Sequence, residues 1–378
     1  MKIALLGTRG IPSSYSGFET CAEELGARLV ERGHQVTVYC RSHHIAYDKP
    51  TYRGIRLIKL PTIPNKYLDT LVHSFLSSLH ALNQGYDICL YFIVGNSPVT
   101  FIPRLVGQKT ALNVDGLDWK RKKWNALAKR YIRVAEYLAT KLPNAVVTDS
   151  KVIQEYYREK YHAETNFIAY GADVTPLPPG KYLQQFGLEP RRYFLYVGRL
   201  VPENCAHHLV QAMKGLNTDM KCVIIGDAPY AEKYIAELKA SAASAGQVIF
   251  TGYLFGEGYR ELSSQAFAFI ETSEVGGTHP ALLEAMAFGN CVIVNDTPEN
   301  LETIGEAGLR YRGASGADSL REVLRELLSD DGTRVQELRG RARERAASEY
   351  SWARITDRYQ DLFARMSERP PRGIVTPG

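Results

Sequence analysis

Two segments carry the residues best suited to bind a charged ligand. In Gly276-Gly277-Thr278-His279-Pro280 the paired glycines let the backbone come close to a ligand. Pro280 suits a first helical turn, and Thr278 or His279 can cap it. The free N–H groups and dipole of such a helix start make an anion site suited to phosphate. Glu284 sits one turn further on, where a carboxylate can accept hydrogen bonds from two vicinal hydroxyls. Phosphate at the helix start and ribose at Glu284 together describe a nucleotide; an ordinary capped helix with an exposed glutamate is the plainer alternative. In Val197-Gly198-Arg199-Leu200, Arg199 follows a strand end and can meet a diphosphate through two parallel hydrogen bonds. A structural ion pair would use the same residue.

Near the N-terminus, Ile3–Glu19 ends a strand in Gly7 but places Arg9 and Pro12 where a dinucleotide fingerprint needs glycine. A nicotinamide cofactor is therefore not expected. The loop from Gly7 to Gly17 is long for a strand-to-helix turn and leaves room to meet a ligand. Asp115 follows directly on an apolar run and is the candidate for orienting an acceptor or the sugar, with a structural role as the alternative. From Trp119 to Lys141 there are eight basic residues and one acidic residue, Glu136, with aromatic and aliphatic residues between them. A helix of that kind can lie on an anionic membrane surface, or simply present a solvated face. Asp118, Trp119, Lys120 and Arg121 head the stretch and are assigned to the acceptor or membrane side. No phosphate-loop, zinc-protease, esterase-elbow or DxD motif occurs. His43-His44 and His207-His208 lack Cys or acidic residues at metal-ligand spacing and read as surface histidines, so no metal is expected.

These residues need a scaffold of alternating strands and helices. Lys2–Leu6, a helical pattern over Phe18–Arg32 stopped by Gly33, and Gln35–Cys40 form a βαβ unit, which implies a parallel sheet. Ile88–Ile93, Thr110–Val114 and Ala145–Thr148 extend that sheet, with a helix at about 124–141. A second unit opens at Tyr193–Val197 and continues through Lys221–Ile225, Val248–Phe250, Ala266–Ile270 and Cys291–Val294. The expected architecture is α/β: two doubly wound, Rossmann-like domains over 1–172 and 193–350, facing a central cleft. The proline-rich stretch 173–192 is the expected linker, a helix over 351–366 closes the fold, and 367–378 is an expected disordered tail.

Composition narrows the function. The chain has 378 residues, 45% hydrophobic and 23% charged, as expected of a globular two-domain protein. A net charge of +5 does not announce a nucleic-acid binder, and no aromatic binding motif supports one. The excess is uneven: residues 1–172 hold 23 basic and 14 acidic residues, the remainder 23 and 27. No apolar run reaches the ~18 residues of a membrane span. Six scattered cysteines read as buried, reduced thiols of a cytoplasmic protein.

Together these segments resemble the retaining glycosyltransferases of family 4, which have the two-Rossmann GT-B fold. In the second half the likeness rests on VGRLVPEN, FTGYL (250–254) and GGTHPALLEAMAFG. In the first half, LGTRGIPSSYSGFETCAEELGARLVERGHQVTVYCR and NVDGLDWKRKKW are similar to a rhamnosyltransferase-like subgroup. IAYGAD (168–173) and SWARITDRY also fit, the latter in a last helix that packs back on the first domain. The resemblance implies a nucleoside-diphosphate sugar held mainly by the second domain, without a metal. Glu284 matches the ribose-binding glutamate and Arg199 the arginine at the diphosphate. Gly17 lies in the loop approaching the phosphates, and Tyr253 lies near the base.

Three positions depart from the family. Gly276 stands where most members carry a glutamate, with Glu274 two residues earlier. Asn204 replaces a usual lysine, and Asp115 stands where many members have a histidine. Glu274, Gly276, Gly277, Thr278 and His279 are all assigned to the donor. The implied reaction moves a sugar, rhamnose or another hexose, to a glycan or lipid-linked glycan in bacterial-type polysaccharide synthesis. It retains the anomeric configuration and takes place at the inner face of the membrane. The rival readings are a nucleotide-sugar epimerase, which needs no acceptor, and a non-catalytic nucleotide-binding protein.

Overall fold

A computed structural model of the chain describes residues 1–13, 17–65, 67–122, 124–229, 231–243 and 247–368. They form two compact units. The first comprises 1–115, 126–169 and the stretch from Trp352; the second comprises 116–125 and 170–351.

The first unit holds β1 (Lys2–Leu6), α1 (Gly17–Glu31), β2 (Gln35–Arg41), β3 (Thr51–Tyr52), β4 (Ile55–Leu60) and α2 (Asp69–Ala81). It continues with β5 (Ile88–Phe92), β6 (Lys109–Asn113), α3 (Ala126–Ala139), β7 (Ala145–Thr148), α4 (Lys151–Tyr161) and β8 (Asn166–Phe167). The sheet order is β3-β4-β2-β1-β5-β6-β7-β8, parallel except for the β3/β4 pair. Helices on both faces bury parallel strands on both sides, so these strands are continuous apolar runs: every residue of β5 is buried. The connection order reverses at β1/β5, the place where such sheets open to ligands.

The second unit contains α5 (Lys181–Gln185), β9 (Tyr193–Val197), α6 (Ala206–Lys214), β10 (Lys221–Ile225), α7 (Glu232–Ala243), β11 (Val248–Gly252) and α8 (Gly256–Gln265). After these come β12 (Ala268–Glu271), α9 (Pro280–Ala287), β13 (Cys291–Asn295), α10 (Pro298–Ile304), β14 (Leu309–Tyr311), α11 (Gly316–Ser329) and α12 (Thr333–Glu349). Its all-parallel sheet runs β11-β10-β9-β12-β13-β14. Alternate strand residues feed two cores. Phe194, Cys222, Ile270 and Ile293 pack with α6 and α11, whereas Leu195, Val223, Phe269 and Val292 pack with α8, α9 and α12. The closing helix α13 (Trp352–Ser367) belongs to the first unit: Arg32 pairs with Asp357 at 2.7 Å, and Asn113 donates to the Tyr359 hydroxyl at 3.0 Å.

The stretch 173–192, expected to be a linker, is built into the second unit. The buried Glu261 carboxylate on α8 accepts from the N–H groups of Gly180 and Leu183, and Leu183 and Leu188 are buried in the core. A linker would leave those leucines in water. The expected helix at 124–141 begins only at Ala126, because Gly116–Asn125 groups with the second unit. The expected tail beyond residue 368 lies outside the described residues.

Candidate functional site

Parallel strands all point their carboxyl ends to one edge of a sheet. In the second unit, that edge gathers the loops after β9, β10, β11, β12 and β13. The loops after β9, β11 and β12 carry residues named above; the loop after β10 and the end of β13 carry residues that hold the others.

After β9 the chain turns through Gly198 and Arg199. Gly198 donates its N–H to the Ile225 carbonyl at 3.0 Å, while the Gly226 backbone (φ 146°) lies so close that a Cβ there would fall 1.9 Å from the Gly198 oxygen. Only glycine fits that approach. The Arg199 carbonyl accepts from Asn204 Nδ2 at 3.0 Å and from the Tyr196 hydroxyl at 3.3 Å. Asn204 thus braces the arginine turn, a use the sequence comparison with lysine did not suggest.

After β12, the loop Thr272–His279 leads into α9. Asn295 at the end of β13 donates to the carbonyls of Thr272 (3.1 Å) and Ser273 (3.3 Å), and Asn300 donates to the Asn295 carbonyl at 3.1 Å. Thr272 donates its hydroxyl to the Asn204 carbonyl at 2.5 Å, and Glu274 N–H donates to the Glu203 carbonyl at 2.9 Å. These bonds fix the loop to both neighbouring strands. Asn295, Asn300 and Thr272 were not singled out from the sequence, because no spacing marks partners brought together across a sheet.

His279 is the N-cap residue of α9, but its side chain makes no capping bond. Its ring instead lies against Gly276, where a Cβ would sit 2.5 Å from His279 Cε1. This explains glycine at 276: a larger residue would displace the imidazole. Pro280 occupies the first turn as expected. One turn into α9, Glu284 accepts a hydrogen bond from the Tyr259 hydroxyl of α8. Burial and the adjacent Glu284 carboxylate hold the Tyr259 phenol well above its ordinary pKa, so it remains a donor. Tyr259 is a further residue the sequence did not reveal.

After β11, the exposed Tyr253 and Phe255 rings stack with centroids 5.9 Å apart and planes 14° apart. They make a flat apolar platform of the kind a nucleobase stacks on. Phe255, two residues beyond the tyrosine, escaped the sequence reading.

Gly116–Asn125 joins this unit at the same loop. A Cβ on Gly116 would stand 2.5–2.7 Å from the Gly276 and Gly277 backbone, and Lys122 Nζ lies 3.6 Å from Glu274 Oε2. Asp118 accepts from Arg121 Nε at 2.7 Å and Trp124 Nε1 at 3.0 Å, bracing a 3-10 turn over Asp118–Lys120. Lys120 Nζ stands 6.0 Å over the Trp119 ring. This segment, ahead of α3, carries Trp119 to Lys122, so these residues are not part of a long basic helix.

Two assigned residues belong to the first unit. Asp115 follows β6 and Val114 in left-handed backbone (φ 56°), its N–H donating to Asn113 Oδ1 at 3.1 Å. Such strain in a non-glycine residue persists only where the surroundings enforce it. Gly17 opens α1; the loop residues 14–16 before it lie outside the described residues.

The histidine pairs, expected at the surface without Cys or acidic partners, differ: His43 is exposed, His208 is buried, and each pair has such a partner in space. His43 and His44 stand 3.6 and 3.3 Å from the Asp69 carboxylate, which Arg41 holds at 2.7 Å. His207 and His208 are bonded to the hydroxyls of Tyr234 (3.0 Å) and Tyr311 (3.1 Å), beside Cys205. The fold brings these partners together across 25 to 103 residues, so spacing could not reveal them. Burial, then the Glu274 charge, push the Cys205 thiol up to about 12. The donor atoms of Cys205, His207 and His208, like those of His43, His44 and Asp69, lie within 4.8 Å of one another, a spacing that could hold a metal ion. All six cysteines are buried and unpaired, and among the described residues no helix is long and apolar enough to cross a membrane.

Residues 181–349 match the family model described as glycosyl transferases group 1, and residues 1–173 match a domain of unknown function, DUF1972. The chain is 24% identical to the alpha-maltose-1-phosphate synthase of Mycolicibacterium smegmatis, over 97% of this chain and all of that one. It is 23% identical to a Campylobacter jejuni N-acetylgalactosaminyltransferase acting on N-acetylgalactosamine-N,N'-diacetylbacillosaminyl-diphospho-undecaprenol, over 78% of this chain and 79% of that one. Among solved structures, sucrose-phosphate synthase from Thermosynechococcus elongatus aligns with a TM-score of 0.81 and 21% identity, covering 97% of this chain and 98% of that one. The two parallel-sheet units match the GT-B fold.

Proposed function

We propose that this glycosyltransferase of group 1 retains the anomeric configuration as it moves a hexose, rhamnose or a relative, from a nucleoside-diphosphate sugar to a lipid-linked glycan in polysaccharide synthesis. The observation that carries the reading is the carboxyl edge of the second sheet. There a glycine loop at a helix start, Arg199 after the neighbouring strand, Glu284 one turn inside the helix and the stacked Tyr253 and Phe255 all follow strands of one parallel sheet. Each suits one part of a nucleotide sugar: amides and Arg199 the diphosphate, Glu284 the ribose hydroxyls, stacked rings the base. Glu274, Gly276, Gly277, Thr278 and His279 line the phosphate end.

In the reaction the bond from the anomeric carbon to the diphosphate oxygen breaks as the acceptor oxygen bonds to that carbon from the same face. The acceptor proton passes to the departing diphosphate oxygen, so no strong protein base is required. Negative charge grows on the diphosphate, and preorganised amides at 276–279 and Arg199 stabilise it, the contribution that is commonly largest. Asp115 orients the acceptor or the sugar. The positive groups of the chain serve the leaving group without a metal. The named substrate of the Campylobacter relative supports a lipid-linked acceptor, and the basic first unit supports an anionic membrane as the place where it is met.

A panel of nucleotide sugars read by thermal shift identifies the donor, because a ligand that binds only the folded state raises Tm. Glu284→Ala should then raise donor KM, and Arg199→Ala should lower kcat more than it raises KM. Unchanged donor kinetics in both variants would reject the site. Nuclear magnetic resonance of the product gives its anomeric configuration, and an epimerised sugar nucleotide formed without acceptor would favour the epimerase reading.

A further inference from the structure

Cys205, His207 and His208 meet at the start of α6, in the second unit. Cys205 is the N-cap residue, in left-handed backbone (φ 50°), and the two histidines occupy the first turn. The thiol and both imidazoles each offer one atom, all within 4.8 Å of one another. Tetrahedral zinc, at about 2.0–2.3 Å from nitrogen and sulfur, needs its ligand atoms about 3.3–3.6 Å apart. Rotation of the side chains closes that difference. Each imidazole is already oriented by a partner: His207 Nδ1 lies 3.0 Å from the Tyr234 hydroxyl and His208 Nδ1 3.1 Å from the Tyr311 hydroxyl. Partners of this kind set the ring angle of a ligating histidine and leave its other nitrogen for the metal. Among the described residues, neither Nε2 has a hydrogen-bond partner.

The charges around the cluster favour a cation. The Glu274 carboxylate acts on the thiol and on both imidazoles, and the buried Glu203 acts on the thiol as well. Lys122 is the cation beside them, with its Nζ 3.6 Å from Glu274 Oε2 on a side chain 63% exposed. The place therefore already holds positive charge, carried by a group that can swing into water. The cluster of His43, His44 and Asp69 lacks this balance. Arg41 holds the Asp69 carboxylate at 2.7 Å, and the Arg9 charge bears on His44. An ion there would meet two guanidinium groups. A thiolate, two imidazoles and a carboxylate select an ion of the zinc class, borderline soft and tetrahedral.

We propose that Cys205, His207 and His208, with Glu274 as the fourth ligand, hold one divalent ion of the zinc class that ties the start of α6 to the loop before α9. On binding, the S–H bond breaks, the sulfur bonds the metal, and the proton leaves to water. Four protein ligands leave no open position, so the ion is structural and takes no part in the transfer step. The proposal does not rest on the transfer reading, and its readout is metal binding. The test is titration of the full chain, first stripped with a chelator, with Co²⁺ as a spectroscopic probe and then with Zn²⁺. One Co²⁺ per chain should bind with a thiolate charge-transfer band and the visible bands of a tetrahedral site, and one equivalent of Zn²⁺ should displace it. Cys205→Ser should abolish the charge-transfer band. His207→Gln and Glu274→Gln should each weaken zinc binding at least tenfold, whereas His43→Gln with His44→Gln should leave it unchanged. Zinc should raise the Tm of the wild type and not that of Cys205→Ser. No thiolate band in the wild type, or a band kept in Cys205→Ser, would overturn the proposal. Unchanged zinc affinity in Glu274→Gln would remove the tie to the loop and overturn it too. If Cys205→Ser does not fold, His207→Gln decides: affinity equal to that of the wild type rejects the site.

Discussion

The two units are built on the same doubly wound plan and use their polar groups in opposite ways. In the second unit, buried amides and hydroxyls lock the loops at the carboxyl edge: Asn204 holds the Arg199 carbonyl, and Asn295 and Asn300 hold the approach to α9. In the first, the cations stand outward beside exposed apolar side chains, while buried polar groups such as His73 lie within. One unit fixes the loops at its sheet edge; the other leaves apolar and cationic side chains in solvent. The charge balance follows the same division, with 23 basic and 14 acidic residues over 1–172 against 23 and 27 over the rest. A global +5 conceals this; the difference between the units carries the information.

The strongest way to break the comparison is to loosen the second unit where its backbones meet. Gly226→Ala puts a Cβ against the Gly198 carbonyl at a φ that disfavours any side chain. The expected cost is about 3–5 kcal/mol. Chemical denaturation should show it, together with loss of the donor-induced thermal shift. A normal denaturation midpoint would mean that the two strand ends are not clamped.

Next comes Glu284→Ala, which removes a charged acceptor from the donor site. Loss of one charge-assisted hydrogen bond, at about 1.5–3 kcal/mol, predicts a rise in donor KM of about 10- to 100-fold. Because Tyr259 is then left buried without that partner, Tyr259→Phe in the same background should recover part of any lost stability.

The segment Gly116–Asn125 sharpens the comparison, since it leaves the first unit's sheet to sit on the second unit's donor loop. Gly116→Val should displace Gly276 and Gly277 and raise donor KM about tenfold, while Lys122→Met, which breaks only an exposed pair with Glu274, should change it about threefold or less. Equal effects on donor KM would show that charge, not close approach, couples the segment to the loop.

A separate effect, on stability and not on the donor, is acid sensitivity of the first unit. His73 is fully buried on α2, and burial, with the nearby Arg41 charge, lowers its pKa to about 4. Between the ordinary histidine value near 6.5 and about 4, the unfolded chain binds the proton that the folded unit refuses. The neutral form's contribution is complete above that window and declines as pH falls through it, by up to about 3 kcal/mol. His73→Leu should flatten stability against pH there. An unchanged acid slope would place the sensitivity elsewhere, and the paired Asp69 is then the next group to examine. Burial raises its carboxyl pKa, but Arg41 and the two histidines outweigh that and hold it below its usual value. Its contribution is lost only as pH falls further, through that lowered value.

The central strands and the glycine-rich start of α9 are legible in the linear chain because each is local. Apolar runs such as Ile88–Phe92 specify buried parallel strands, and Gly276 through Glu284 contains in nine consecutive residues the loop, the helix start and the carboxylate. Arg199 can be found for the same reason, at a strand end followed by a turn. The residues that hold these parts in place cannot be read this way. Asn295 acts on Thr272, 23 residues before it, and Tyr259 on Glu284, 25 residues after it. Asn204 looks like a missing lysine until its amide is seen to serve the Arg199 carbonyl.

What the sequence by itself determined is therefore the periodic and the contiguous: the class of fold, the glycine-rich helix start, and the excess of positive charge in the first half. Tertiary structure alone decided where Gly116–Asn125 belongs and which carbonyls the buried asparagines serve. The physical reason is range. Backbone propensity and amphipathic period act over a few residues and are written in order, whereas hydrogen-bond satisfaction and surface complementarity depend on groups that meet only after the chain has folded.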